Sequence, residues 1–265
     1  MPRDLKSLLA SDEATLGTWS QIAAPEMIDL IGLNGFEFAI IDCEHGFFGM
    51  ETAENLSRAC DANDIASAVR VPVNDATVIM KALDAGIRHV VVPNMASGEA
   101  AERAVAATRF GPHGLRGACP CCRSGGHFIR HWQDYVAQEE ARVGAIALVE
   151  SAEGYANFRA IAAVKDLAAV MFGPFDLSVS MGLNGDWRNP RVLGAVEEMV
   201  DIAVGEGHRV MMPVFAPEPD ECAALIERWQ ARGVRSFVIG SDKIIVAHAM
   251  DRWSRSLRDA AAAPA

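Results

Sequence analysis

The chain has 265 residues, 51% hydrophobic and 22% charged, and 24 Lys and Arg against 35 Asp and Glu leave a formal net charge of −11. That apolar content excludes a largely disordered chain, which would lack the side chains to offset its ordering entropy. The acidic balance, with only four lysines, excludes the basic stripe that neutralises phosphates, so no nucleic-acid partner is expected. No apolar run approaches the ~18–20 residues of a bilayer span, so no membrane partner is expected either. The opening MPRDLKSLLASDEA carries Asp4, Lys6, Asp12 and Glu13 where a secretory signal needs an apolar core. A cytoplasmic location follows as the expectation, and most of the six cysteines read as buried thiols.

In chain order, eight short apolar runs bounded by turn residues read as strands: 15–19, 38–42, 67–71, 89–93, 145–150, 168–173, 209–214 and 236–240. Amphipathic stretches separate them. Residues 74–85 form one, with Asn74 as N-cap and Gly86 as the stop, and 97–110 form another. Eight strands alternating with helices predict an α/β fold, a (β/α)8 TIM barrel over residues 1–265 as one domain. The alternative, a doubly wound open sheet, normally carries a Gly-rich phosphate turn, and neither GxGxxG nor GxxxxGK[ST] occurs. An extra C-terminal helix is expected over 243–257, with Ile245, Ala249, Trp253 and Leu257 in a stripe suited to a subunit interface, and a frayed tail over 258–265. Two excursions lengthen the strand spacing, 95–144 and 175–208. Barrel insertions collect in βα loops at the active face, so GPHGLRGACPCCRSGGH (111–127) is expected near the site.

Residues at the carboxyl ends of barrel strands converge on one mouth. The second strand delivers Asp42-Cys43-Glu44-His45, the third Arg70, the fifth Glu150, and the sixth Gly173-Pro174-Phe175-Asp176. Ionisable groups are seldom buried unpaired, so this clustering points to mutual neutralisation, a metal or an anionic ligand. Glu150 and Asp176 on adjacent strand ends could share a hard cation; the plainer alternative is that each caps the following helix. Arg70 can hold a carboxylate or a developing oxyanion, or it can be a structural partner of Asp42 or Glu44. His45 can act as a base near neutral pH or be an ordinary surface residue. The Cys119-Pro120-Cys121-Cys122 cluster has no second CxxC pair with which to complete a zinc site, and there is no GxSxG elbow. Of the four lysines only Lys243, after the eighth strand, is placed to form a Schiff base at the mouth.

The motifs IDCEHG (41–46), AVRV followed by ND (68–75), LDAG (83–86), ATRFGPHGLRG (107–117), LVESAEG (148–154) and GPFDLS (173–178) occur in this order. From about Gly17 to Ala249 the chain resembles the HpcH/HpaI family of metal-dependent class II pyruvate aldolases. The resemblance implies Glu150 and Asp176 as ligands of Mg2+, Mn2+ or Co2+, Arg70 facing the substrate keto oxygen, and His45 as the base. It places the substrate carboxylate against Gly173, Pro174 and Phe175, and it pairs the histidine with Asp84. That acid sits at the far end of the helix after the third strand, so it either comes from a neighbouring subunit of a homo-oligomer, a hexamer by resemblance, or is a helix-end acid with a local partner. The implied reaction is reversible cleavage of a 4-hydroxy-2-oxo acid to pyruvate, or hydroxypyruvate, and an aldehyde, with 118–131 and MMPVFAPEPDE shaping the aldehyde side. A related acyl-CoA hydroxy-acid lyase and a barrel that binds a keto acid without turnover are the alternatives.

Overall fold

A computed structural model describes residues 3–216 and 218–262. Its eight strands are β1 (Thr15–Ser20), β2 (Phe38–Asp42), β3 (Ala66–Arg70), β4 (His89–Val92), β5 (Gly144–Val149), β6 (Ala169–Phe172), β7 (Val210–Val214) and β8 (Ser236–Ser241). They pair in parallel in sequence order, and β8 returns to β1 to close the barrel. Every predicted strand is present, with its ends moved by no more than one or two residues.

The helices are α1 (Leu5–Ala10), α2 (Pro25–Leu33), α3 (Met50–Ala62), α4 (Ala76–Asp84), α5 (Gly98–Thr108), α6 (Trp132–Glu140), α7 (Ala152–Ala156), α8 (Phe158–Ala162), α9 (Pro174–Ser180), α10 (Pro190–Gly205), α11 (Pro219–Gln230) and α12 (Asp242–Ala262). Strands covered on both faces read as continuous apolar runs, and alternate residues go to the lumen and to the helices. Phe38, Ile40, Ala68, Val91, Ile146, Met171, Met211 and Val238 fill the lumen. Ala39, Ile41, Val69, Val90, Ala147 and Val170 face the helical layer. Gly17 is required by this packing, because a Cβ there would lie 2.2 Å from the Phe38 ring. Helix α1 closes the amino-terminal end of the barrel with Leu5 and Leu9, which join the luminal cluster. Burying the two leucines contributes roughly 3–6 kcal/mol at most. His89, in the lowest luminal layer, is fully buried with neither ring nitrogen bonded. Burial pushes its pKa down to about 4.

Four local expectations change. Of the six cysteines only Cys60 is buried; Cys43, Cys122 and Cys222 are half-buried, and Cys119 and Cys121 are exposed because the 111–127 segment runs over the surface. The cap of α4 is Asp75, whose carboxylate accepts from the amides of Thr77 and Val78, while Asn74 donates instead to the Ala100 carbonyl. Gly86, at φ +86°, ends that helix as expected. The C-terminal helix runs through 258–262, which were expected to fray; the last three residues lie outside the described residues. Finally, the segment 111–127 follows α5 and precedes β5, so it is an αβ connection at the amino-terminal end of the barrel, opposite the mouth. There Arg123 donates to the Ala85 carbonyl and Arg116 pairs with Asp84. Its length misled, because the sequence position of the intervening helix decides which end a loop occupies.

Candidate active site

Asp42, the last residue of β2, follows Phe38 and Ile40 at period two and therefore points inward. Its side chain is fully buried. Five donors converge on it. Oδ1 accepts from Arg70 Nε at 2.9 Å and from the Glu44 and His45 amides at 3.1 and 3.2 Å. Oδ2 accepts from Arg70 Nη2 at 2.7 Å and Gln21 Nε2 at 2.8 Å. Burial alone would raise the Asp42 pKa, but the Arg70 guanidinium and these hydrogen bonds more than offset it and hold it below the usual carboxylate range.

Arg70 is thus held as a fork. Its Nη1 pairs with Glu44 Oε2 at 3.1 Å, and the guanidinium lies 4.4 Å over the Trp19 ring. Arg70 is 8% exposed and its pKa is raised above the ordinary value, Asp42 outweighing burial. Arg70 is therefore the structural partner of both acids weighed from the sequence, and it still faces the cavity. Two of its five N–H donors are hydrogen-bonded, both to Asp42, while Nη1 makes an ion pair with Glu44, leaving the Nη1 group and one Nη2 N–H for a ligand.

Glu150 follows β5 directly and is 7% exposed. Its Oε1 accepts from the Asn94 amide at 2.8 Å, which is offered because Asn94 adopts φ +53° in the turn after β4. Burial, with the nearby Asp176 and Glu44 charges, pushes the Glu150 pKa up to about 7, against the pull of that amide and Arg70. Burial likewise raises that of Glu44. Gly173 makes room for this carboxylate: a Cβ there would lie 2.7 Å from Glu150 Cβ and 2.8 Å from Oε2. A crowded group of acids with one guanidinium among them fits a cation. Among the described residues, no group of three or more His, Cys, Asp or Glu is arranged to hold one. The protein's share would be the two carboxylates of Glu150 and Asp176, with other positions open to substrate and water.

Gly173, Pro174, Phe175 and Asp176 lead into α9 and line the same cavity as His45, Arg70 and Glu150. The Gly173 amide is already bonded to the Val149 carbonyl and Pro174 has no N–H, so the helix-start amides available to an anion are those of Phe175 and Asp176. His45 is exposed at the mouth, and its amide is pinned to Asp42. Asp84 lies at the other end of the molecule, on the last residue of α4, with Arg116 Nη2 at 3.1 Å from its Oδ1. Arg116, whose side chain is fully buried, also pairs with Glu139 at 3.2 Å and stacks over Phe110. Lys243 is exposed on α12 and does not line the cavity.

The sequence reading passed over three positioning groups. Asp42 was weighed only as a partner for Arg70, although its inward parity was legible. Gln21, two residues beyond Trp19, has the same parity, and its amide is anchored by buried Asp242 at 2.9 and 3.0 Å. Asn94 carried only the weak signal of an Asn after a strand, where left-handed backbone is tolerated.

Residues 15–248 match the HpcH/HpaI aldolase/citrate lyase family. The chain is 31% identical, over 91% of its length and 91% of the relative's, to a 5-keto-4-deoxy-D-glucarate aldolase of Klebsiella pneumoniae, and equally to one of Shigella dysenteriae. In fold it is similar to an HpcH/HpaI aldolase/citrate lyase family protein of Burkholderia cenocepacia, at TM-score 0.87 and 28% identity over 96% and 98% of the two chains. It is also similar to the citrate synthase SbnG, at TM-score 0.85 and 29% identity over 97% and 98%. A closed parallel barrel with an arginine and carboxylates at its mouth, matched over nearly its whole length, places this chain in the HpcH/HpaI aldolase/citrate lyase family as a carbon–carbon lyase.

Proposed function

We propose that the protein is a divalent-metal-dependent aldolase that reversibly cleaves a 4-hydroxy-2-oxo acid into pyruvate, or hydroxypyruvate, and an aldehyde. The observation that carries this reading is that Glu150, Asp176 and the Arg70 guanidinium line one cavity. Oxygen donors of this kind suit Mg2+, Mn2+ or Co2+. Such a cation would polarise the 2-keto group and so ease cleavage of the C3–C4 bond.

The protein's own groups divide the remaining work. Arg70, fixed by Asp42 and paired with Glu44, turns its unengaged N–H groups to the keto oxygen, where negative charge develops. Preorganisation matters here, because a guanidinium already held by two bonds to Asp42 needs no reorientation as the charge grows. The amides of Phe175 and Asp176 face the substrate carboxylate. His45, carried on the loop whose amides bond Asp42, takes the proton of the C4 hydroxyl as the bond breaks, and a proton is returned to C3 of the pyruvate released.

Asp84 joins His45 only if a second copy presents its amino-terminal face to the mouth, together with Arg116 and the 118–131 loop. The proposed assembly is a homo-oligomer, a hexamer by family resemblance. Its support within the chain is α12, whose Met250, Trp253 and Leu257 are 68%, 72% and 62% exposed. No described helix is long and apolar enough to cross a membrane; a cytoplasmic location remains part of this reading.

The test is hydrogen exchange at the methyl group of pyruvate in D2O. Exchange that EDTA abolishes and Mg2+, Mn2+ or Co2+ restores is expected. Exchange that survives complete metal removal, or its absence with pyruvate and hydroxypyruvate under every metal, would overturn the proposal.

A further inference from the structure

The cavity at the barrel mouth encloses about 380 Å³, within the range that accommodates small organic ligands and with room beyond a three-carbon acid. Its two sides differ. The strand ends of β2, β3 and β5 and the start of α9 supply His45, Arg70, Glu150 and Asp176, whereas the side built by the α9–α10 connection, α10, β7 and α11 is lined by Trp187, Leu193, Val196, Met212, Leu225 and Trp229. No charged or hydroxyl-bearing side chain is among the described lining residues of that side. Val196, Met212 and Trp229 are 1%, 1% and 5% exposed, so this is an apolar recess between helices rather than open surface. Unfilled apolar space costs stability, so a recess kept open beside a reaction centre argues for an apolar occupant.

We infer that the acceptor aldehyde of this enzyme carries an apolar chain or ring, which lies in the recess between α10 and α11. This rests on the proposed aldol chemistry and deepens it. A hydroxylated or carboxylated acceptor, of the kind the name 5-keto-4-deoxy-D-glucarate denotes for the relatives, would meet no side-chain partner there beyond the indole N–H groups of Trp187 and Trp229. Members of comparable similarity are named for different reactions, so their substrates do not carry over unexamined.

The experiment pairs pyruvate, in metal-replete protein, with the linear aldehydes from acetaldehyde to hexanal, and with glyceraldehyde and succinic semialdehyde for comparison. Pyruvate methyl exchange is measured alongside. Each methylene buried against the recess should raise kcat/KM about fourfold until the recess is full. Leu193→Trp and Leu225→Trp, at half-buried positions that tolerate a change of size, should flatten this rise at least tenfold between acetaldehyde and hexanal, each normalised to its own exchange rate. A flat series, or preference for the polar aldehydes with exchange intact, overturns the inference and leaves the aldolase reading standing. Absence of exchange with pyruvate and with hydroxypyruvate under every metal overturns both.

Discussion

Asp42→Asn tests whether one buried carboxylate organises both Arg70 and His45. Asparagine keeps the shape but offers one acceptor oxygen where two were. With that oxygen at the Oδ1 position, the bonds to Arg70 Nε and the Glu44 and His45 amides survive, and the new NH2 group meets Arg70 Nη2 and Gln21 Nε2 donor against donor. The opposite orientation loses three bonds instead of two. In either case Arg70, at 8% exposure, loses its closest counter-charge. Breaking one partner of a buried ion pair costs about 3–5 kcal/mol. For 265 residues the unfolding entropy is about 0.56 kcal/mol/K, so the melting point should fall by about 5–9 °C. Pyruvate exchange, measured well below the melting point, should drop at least tenfold, because in either orientation the guanidinium loses its counter-charge and one of its two bonds to residue 42. Calorimetry and exchange on the same preparation check both arms. Unchanged melting with wild-type exchange would refute the view that Asp42 positions the site.

Three further outcomes are expected. His89, with a pKa of about 4 in the fold against 6.5 unfolded, binds a proton more readily in the unfolded chain, so its stabilising contribution is full above pH 6.5 and declines as pH falls toward 4. The whole displacement is worth about 3 kcal/mol, of which about 2 should be lost between pH 8 and pH 5. Denaturant titrations of His89→Leu should lack that decline, and an identical pH dependence in the two proteins would count against it. Glu150 has the opposite sign: raised to about 7 from 4.5, it lowers metal-free stability increasingly as pH climbs through that window. Glu150→Gln should therefore melt higher than wild type at pH 8 in EDTA, by up to about 3 kcal/mol, and lose metal binding by titration calorimetry; lower melting would contradict the burial argument. Replacing Trp253 and Leu257 together by Asp should lower the mass measured by light scattering while leaving the circular dichroism of the barrel intact, and an unchanged mass would exclude α12 from the interface.

Much of this architecture was legible because barrel strands buried on both faces announce themselves as short apolar runs, and eight of them at helical spacing leave few topologies. The carboxyl-end rule then collected Arg70, Glu150 and Asp176 without coordinates, since strand direction alone decides which end of a run reaches the mouth. Local sequence also sufficed for the stop at Gly86, though not for the cap of α4, where Asp75 takes the place read for Asn74. What remained depended on contacts between residues far apart in the chain. Asp42 and Arg70 are 28 positions apart and Asn94 and Glu150 56 apart, so no window of sequence shows that one orients the other. The long 111–127 segment could not be assigned to an end of the barrel by length; its place after α5 and before β5 makes it an αβ connection opposite the mouth, where Arg116 and Arg123 pack it against the end of α4. Periodicity identified the α12 stripe but not what covers it, and the apolar recess belongs to three elements at once. Parity, direction and capping are local properties written into the order of residues; the enclosure of a cavity and the neutralisation of a buried charge are set by how distant elements pack.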